Sequence, residues 1–207
     1  MPEGGAGSER SRQRPAPSQR RLQRPADFTG ARLTRFREVF LRHGLPVLAL
    51  GALLLTSPAQ RALLAEHLLP AVRAPLVYAC AAALIFTACC ALAVWLDRRL
   101  DAARLGWVVY LLALSAWEEW VFRLALPQWL ESFQGEAGAA VLTANAAFAA
   151  LHWFTLRWRL RWCLLAFAGG MAFSAQLEGG DLARVILTHW VLTDLTTPRP
   201  PGGRRSA

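Results

Sequence analysis

Apolar runs separated by short polar segments make up most of the chain from about residue 45 onwards. A transmembrane helix needs about 20 mainly apolar residues, and most of these runs reach or approach that length. The clearest run, residues 75–96, has no charged side chain. The pattern predicts an all-α, polytopic membrane bundle with about six spans. The predicted spans are residues 45–58 (with a continuation through 62–72), 75–96, 105–127, 137–156, 160–177 and 182–197.

Arginine is concentrated in alternate polar segments. The loops at residues 97–104 and 157–161 and the C-terminal tail carry three Arg each, whereas residues 128–136 and 178–181 have acids and no basic residue. Basic loops stay on the cytoplasmic side of a membrane, so both termini are predicted to be cytoplasmic. The predicted division is a basic tail at residues 1–43, a transmembrane domain at 44–197 with a motif-bearing core at 105–197, and a C-terminal tail at 198–207.

Composition supports this division. The chain has 207 residues, of which 55% are hydrophobic, and all 23 of its basic residues are Arg. The net charge of +9 therefore comes from tails and loops, which disfavours nucleic acid as a partner.

Residues 1–30 are rich in Pro, Gly, Ser, Gln and Arg and are predicted to be disordered. Residues 35–44, RFREVFLRHG, are amphipathic and predict a helix on the membrane surface. The four cysteines lack metal-ligand spacing and are expected to be free thiols.

Three charged side chains lie inside the predicted third span: Glu118, Glu119 and Arg123. Each such charge near the bilayer centre costs roughly 2.5–3.5 kcal/mol, which indicates a functional use. Glu119 and Arg123 are four residues apart, so they are predicted to pair on one helix face. Glu118 lies about 100° around the helix and needs a different partner.

Two histidines supply that partner. His152 and His189 lie near the middle of the fourth and sixth predicted spans, at a depth similar to that of Glu118. They are therefore predicted to meet in one cavity. A buried carboxylate can take a proton from water, and an imidazole can hold that water or stabilise a developing oxyanion. The set is chemically suited to hydrolysis inside a membrane.

The spacing resembles a known family. The third span carries Glu-Glu-x-x-x-Arg at residues 118–123, the fourth Phe-x-x-x-His at 148–152, and FAGGMAF and LARVILTHWVLTD follow. This pattern resembles the CAAX protease and bacteriocin-processing (CPBP or Abi) family of glutamate-type intramembrane proteases. The resemblance implies that Glu118 activates water, His152 holds it and His189 forms part of the oxyanion hole. Supporting roles are implied for Glu119, Arg123 and Phe148.

One position departs from the family pattern. The family motif at His189 is His-x-x-x-Asn/Asp, but the fourth residue after this histidine is Thr193, with Asp194 one position further on. The Thr193 hydroxyl can still donate a hydrogen bond. Asp194 can substitute only where the helix is locally over- or underwound. The last member of the oxyanion hole is therefore expected at one of these two residues.

The resemblance implies an intramembrane endopeptidase that needs no metal or other cofactor and acts on a membrane-anchored protein or peptide in the lipid bilayer. The Arg-rich, Lys-free composition suggests a bacterial cell (inner) membrane, where processing of a C-terminal sorting signal is an attractive role. Two alternatives remain open. Zinc held by His152, His189 and a Glu is chemically allowed. A non-catalytic protein of the same fold, such as an immunity factor, transporter or proton relay, would also use buried Glu and His.

Overall fold

Seven helices and no strand are present in a computed structural model that describes residues 33, 35–98 and 100–201. The all-α class is therefore confirmed. The helices are α1 (Phe36–Leu54), α2 (Pro58–Arg73), α3 (Pro75–Asp97), α4 (Ala102–Gln134), α5 (Ala137–Thr155), α6 (Leu160–Leu177) and α7 (Leu182–Thr196).

The polytopic membrane bundle is also confirmed, with four or five candidate spans by length and composition where about six were predicted. Four helices, α3 to α6, are long and apolar enough to cross a membrane. The α1–α2 pair makes a fifth candidate, although its two helices are bent by 107° at their junction. The predicted sixth span is α7, whose 15 residues are fewer than the roughly 20 that a straight crossing needs.

Two helices extend beyond their predicted ends. The segment predicted to lie on the membrane surface, residues 35–44, instead supplies the first turns of α1, which continues to Leu54. Its side chains at Val39 and His43 are buried. The third span was expected to end at Pro127, but α4 continues to Gln134. Pro127 follows a wider turn of helix and stands at the start of the next regular segment, where its missing N–H is not required.

Helix α4 is the centre of the bundle. Its π-helical turn, Trp120–Ala125, has all six residues buried, and the main apolar core is built around them. Helix α3 is the opposite case, since large apolar side chains such as Leu76, Leu84 and Trp95 are exposed along it. Apolar exposure of this kind is typical of a lipid-facing helix. The buried charged side chains Glu118, Glu119 and Arg123 all lie on α4, away from this lipid-facing surface.

Glycines on α1 allow it to lie close against α4. A Cβ on Gly51 would come within 2.5 Å of the Trp117 ring, and a Cβ on Gly44 within 2.8 Å of the Tyr110 hydroxyl. Small residues at helix contacts let backbones approach in membrane proteins. This packing brings the first turns of α1 to the middle of α4.

Polar contacts at one end of the bundle fix α7 against α3 and α4. The Trp107 indole donates to the Thr197 carbonyl at 2.8 Å, and the Trp190 indole donates to the Val108 carbonyl at 3.0 Å. Asp97 forms ion pairs with Arg104 and Arg199. These contacts set the rotation of α7 about its axis and hence the direction of its buried face.

Candidate active site

Glu118 occupies the centre of the site. Its side chain is 3% exposed and lies on the buried face of α4, one residue before the end of the regular helix and the start of the π turn. π turns in helices frequently occur at functional sites. A carboxylate at this position is surrounded by protein rather than lipid, which is the arrangement expected of an ionisable group that a membrane protein uses.

Three imidazoles face the Glu118 carboxylate. His43 Nε2 lies 2.7 Å from Oε1, His152 Nε2 lies 4.0 Å from Oε1, and His189 Nε2 lies 3.7 Å from Oε2. The predicted meeting of Glu118, His152 and His189 is therefore what the structure shows. All three rings direct the same nitrogen, Nε2, towards the carboxylate.

The other nitrogen of each ring is held by the protein. His152 Nδ1 donates to the Phe148 carbonyl at 2.8 Å, because a carbonyl can only accept. His189 Nδ1 lies 2.7 Å from Oε1 of Glu119. The hydrogen bond to Phe148 fixes both the orientation and the tautomer of the His152 imidazole, and the Glu119 carboxylate lies against the His189 ring. The site is thus preorganised, with each ring oriented before any substrate arrives.

The predicted pairing of Glu119 with Arg123 is confirmed. Arg123 Nε lies 3.5 Å from Oε2 of Glu119, with both side chains fully buried. The Arg123 guanidinium also lies over the Phe148 ring, 4.2 Å from its centroid, and this ring packs on His152 at 4.4 Å between centroids. Phe148 therefore lies between the Arg123 guanidinium and the His152 imidazole and packs against both.

Asn145 is a buried polar residue that the sequence reasoning missed. Its amide nitrogen donates to the Val141 carbonyl at 2.9 Å and to the Ser174 hydroxyl at 3.0 Å. Gly170 on α6 packs against its Oδ1 and against the Arg123 guanidinium, leaving no room for a side chain. An Asn within an apolar span, one turn before Phe148 on the same face, was the available signal.

His43 was missed as well. The sequence placed it in the basic segment 35–44, where Arg37 and Arg42 suggested a solvated surface helix. The overlooked signal is spacing, because Val39, His43 and Val47 recur every four residues and all three are buried. His43 belongs to the site. Like Glu118, it is next to or within a π-helical turn, which for His43 is Phe40–Gly44 of α1.

Thr193 and Asp194, the two candidates for the last position of the His189 motif, lie in different surroundings. Thr193 is half-buried, one turn beyond His189 on α7. Asp194 is buried against the Cys89 thiol of α3 and lies near Arg104. Helix α7 is regular along its length, so the altered winding that would bring Asp194 to the site is not present. Of the two candidates, only Thr193 keeps the required register.

Three side chains of the site are of types that can bind a metal ion. His43, Glu118 and His152 offer ligand atoms within 4.8 Å of one another, a set that replaces His189 of the expected zinc alternative by His43. Ligands of a tetrahedral zinc ion, at about 2.0–2.1 Å from the metal, stand roughly 3.3 Å apart. The His43–Glu118 distance of 2.7 Å is shorter and equals that of a strong hydrogen bond. The present arrangement fits a proton between these two atoms, and the three side chains also form a possible ligand set for a metal ion.

Fold and site together define an integral membrane protein with a buried carboxylate–imidazole centre. A family model described as type II CAAX prenyl endopeptidase Rce1-like matches residues 101–193. This match confirms the resemblance to the CPBP family and supports a membrane peptidase. The matched segment contains Glu118, His152 and His189 but not His43. No curated protein and no solved structure matches the chain.

The four cysteines are free thiols, as expected.

Proposed function

We propose that the protein is an intramembrane endopeptidase that hydrolyses a peptide bond of a membrane-associated protein or peptide without a metal. The observation that carries this proposal is the placing of the Glu118 carboxylate against three imidazoles inside a membrane bundle. The neighbouring carboxylate, Glu119, is paired with Arg123 and has a different role. Glu118 is thus proposed to act as the base, and Glu119 to support the site through Arg123 and His189.

The proposed reaction begins with a water that is held by His152 and bound to Oε2 of Glu118, the oxygen that is not in contact with His43. Glu118 takes a proton from this water as the oxygen attacks the carbonyl carbon of the substrate. The developing oxyanion accepts a hydrogen bond from His189 Nε2, and the positive imidazolium that this requires is stabilised by Glu119 at its Nδ1. The carbon–nitrogen bond then breaks, and the leaving amine takes the proton from Glu118.

The proposed substrate class follows from the location of the site. Helices α4, α5 and α7 enclose it within the bundle, so the scissile bond must enter from the membrane or its surface. Residues 97–104 and 157–161 carry the Arg clusters, which supports cytoplasmic termini. In a bacterial cell membrane, a C-terminal sorting signal or anchor is a suitable substrate.

Replacement of Glu118 by Gln tests the proposal. The variant keeps the shape of the side chain but removes the base, so cleavage is expected to fall to background while the protein still inserts. Membrane and secreted proteomes of wild-type and Glu118→Gln strains would be compared for fragments that disappear. Glu131→Gln, which changes an exposed carboxylate of α4, is the matched control. Full cleavage by Glu118→Gln would contradict the mechanism.

A non-catalytic membrane protein of the same fold is the second candidate. The observation that favours it is Thr193, which stands where the family has Asn or Asp. Under this alternative, no fragment differs between the wild-type and Glu118→Gln strains, and any phenotype of deleting the gene is restored by Glu118→Gln. The same pair of strains therefore separates the two candidates.

A further inference from the structure

His43 makes the shortest contact with the Glu118 carboxylate. Its ring is fully buried, and Nε2 lies 2.7 Å from Oε1. His152 and His189 both lie 3.7 Å or more from the same carboxylate, beyond direct hydrogen-bond distance. The closest partner of the central carboxylate is thus a residue of α1, outside the segment that matches the family model.

Hydrogen-bond direction fixes the tautomer of His43. The Thr155 hydroxyl has one hydrogen, and it lies 2.6 Å from the Leu151 carbonyl, which can only accept. The same oxygen lies 2.8 Å from His43 Nδ1. Because the hydroxyl hydrogen is already donated to Leu151, Thr155 must accept from His43. Nδ1 of His43 therefore carries a hydrogen.

This assignment determines what lies between His43 and Glu118. A neutral imidazole protonated at Nδ1 has a lone pair at Nε2, and an ionised carboxylate has only lone pairs. Two lone pairs do not approach to 2.7 Å, so one proton must lie between these atoms. It is bound either to Nε2, giving an imidazolium and a carboxylate, or to Oε1, giving a neutral pair.

We propose that His43 is a positioning residue that holds Oε1 of Glu118 through one shared proton and leaves Oε2 free to act as the base. This inference rests on the proposed protease function. Oε2 is the oxygen that faces His189, the residue assigned to the oxyanion. When Oε2 takes the proton of water, the proton between His43 and Oε1 stays on Nε2, so the carboxyl group carries one proton at a time and returns it to the leaving amine.

The first test needs no substrate. The chain has four histidines, so ¹⁵N-histidine labelling of the detergent-solubilised protein gives four ring systems, each assigned by one substitution. We expect His43 Nδ1 to show a directly bonded hydrogen, and Glu118→Gln to shift the His43 Nε2 resonance. His67, whose Nδ1 faces the Leu63 carbonyl of its own helix, should not respond. A bare Nδ1 on His43, or an unchanged Nε2, would overturn the inference.

The second test is kinetic. His43→Gln keeps an N–H donor near Oε1 but cannot share a proton, so kcat is expected to fall at least about tenfold with KM changed less than about twofold. Thr155→Val is expected to give a smaller loss, and the double variant to be no slower than His43→Gln, because both act through one hydrogen-bond chain. His67→Gln is the control and should keep wild-type rates.

Failure of the inference is distinguishable from failure of the proposed function. An active Glu118→Gln variant would refute the proposed mechanism, whatever His43 does. An inactive Glu118→Gln variant beside a His43→Gln variant with wild-type kcat would refute only the role of His43. Should His43→Gln not insert, the labelling experiment on the wild-type protein still decides the protonation of Nδ1.

Discussion

Nδ1 of His189 lies 2.7 Å from Oε1 of Glu119, so the second carboxylate of the Glu118–Glu119 pair holds an imidazole of the site. The same carboxylate faces Arg123 at 3.5 Å through its other oxygen. Glu119 therefore connects a permanent cation to the imidazole that is proposed to stabilise the oxyanion. Its role extends beyond the predicted one of holding the α4 helix with Arg123.

The first prediction concerns the energetics of this pair. Arg123→Met leaves the Glu119 carboxylate buried without its cation, which typically costs about 3–5 kcal/mol. The double variant Glu119→Gln, Arg123→Met removes both charges and should lose much less stability than the sum of the single changes. Thermal unfolding in detergent, followed by the fluorescence of the nine Trp residues, measures this. Strict additivity would show that the two side chains are not coupled.

The second prediction compares two adjacent glycines on α6. A Cβ on Gly170 would come within 3.0 Å of an Arg123 guanidinium nitrogen, whereas a Cβ on Gly169 would have no atom within 4 Å among the described residues. Gly170→Ala should therefore destabilise the protein by about 1–3 kcal/mol and reduce cleavage. Gly169→Ala should leave both unchanged or slightly raise stability, since Ala favours a helix. Equal melting temperatures for the two variants would argue against the close packing of α6 on Arg123.

The third prediction concerns Thr193, one turn beyond His189. If its hydroxyl completes the oxyanion hole, Thr193→Val should lower kcat by roughly 10²-fold or more, the loss typical of one oxyanion donor, with little change in stability. Thr193→Asn restores the residue type of the family motif and should keep activity near that of the wild type. Asp194→Asn serves as the comparison, because that residue lies against Cys89 outside the imidazole cluster. Wild-type kcat in Thr193→Val would remove Thr193 from the mechanism.

The fourth prediction concerns metal removal. The proposed mechanism uses a carboxylate and imidazoles without a metal, so dialysis against a strong chelator should leave cleavage unchanged. Added zinc in excess should inhibit, because it would compete with the proton for the lone pairs of His43 and Glu118. Loss of activity on chelation, with recovery on adding zinc alone, would instead favour the zinc alternative and displace the proposed mechanism.

Much of the site could be predicted because its residues are costly in a membrane. Glu118, His152 and His189 stand out against apolar neighbours, and their depths along the predicted spans already placed them together. His43 could not be found in this way, since a histidine among arginines at a helix start has no such cost. The contact between Glu119 and His189 was also beyond prediction, because it depends on the rotation of α7 and on the wider turn at Trp120–Ala125.

The placing of the site across the first and last helices has a consequence for biosynthesis. Glu118 has its full set of partners only after α7, which ends at Thr196, has joined α1, which carries His43 near its start. Until α5 and then α7 have left the ribosome, Glu118 lacks first both and then one of the two imidazoles, His152 and His189, that are proposed to hold water and stabilise the oxyanion. Under the proposed mechanism, cleavage of a substrate therefore has to wait until α7 has packed against α1 and α4 in the membrane.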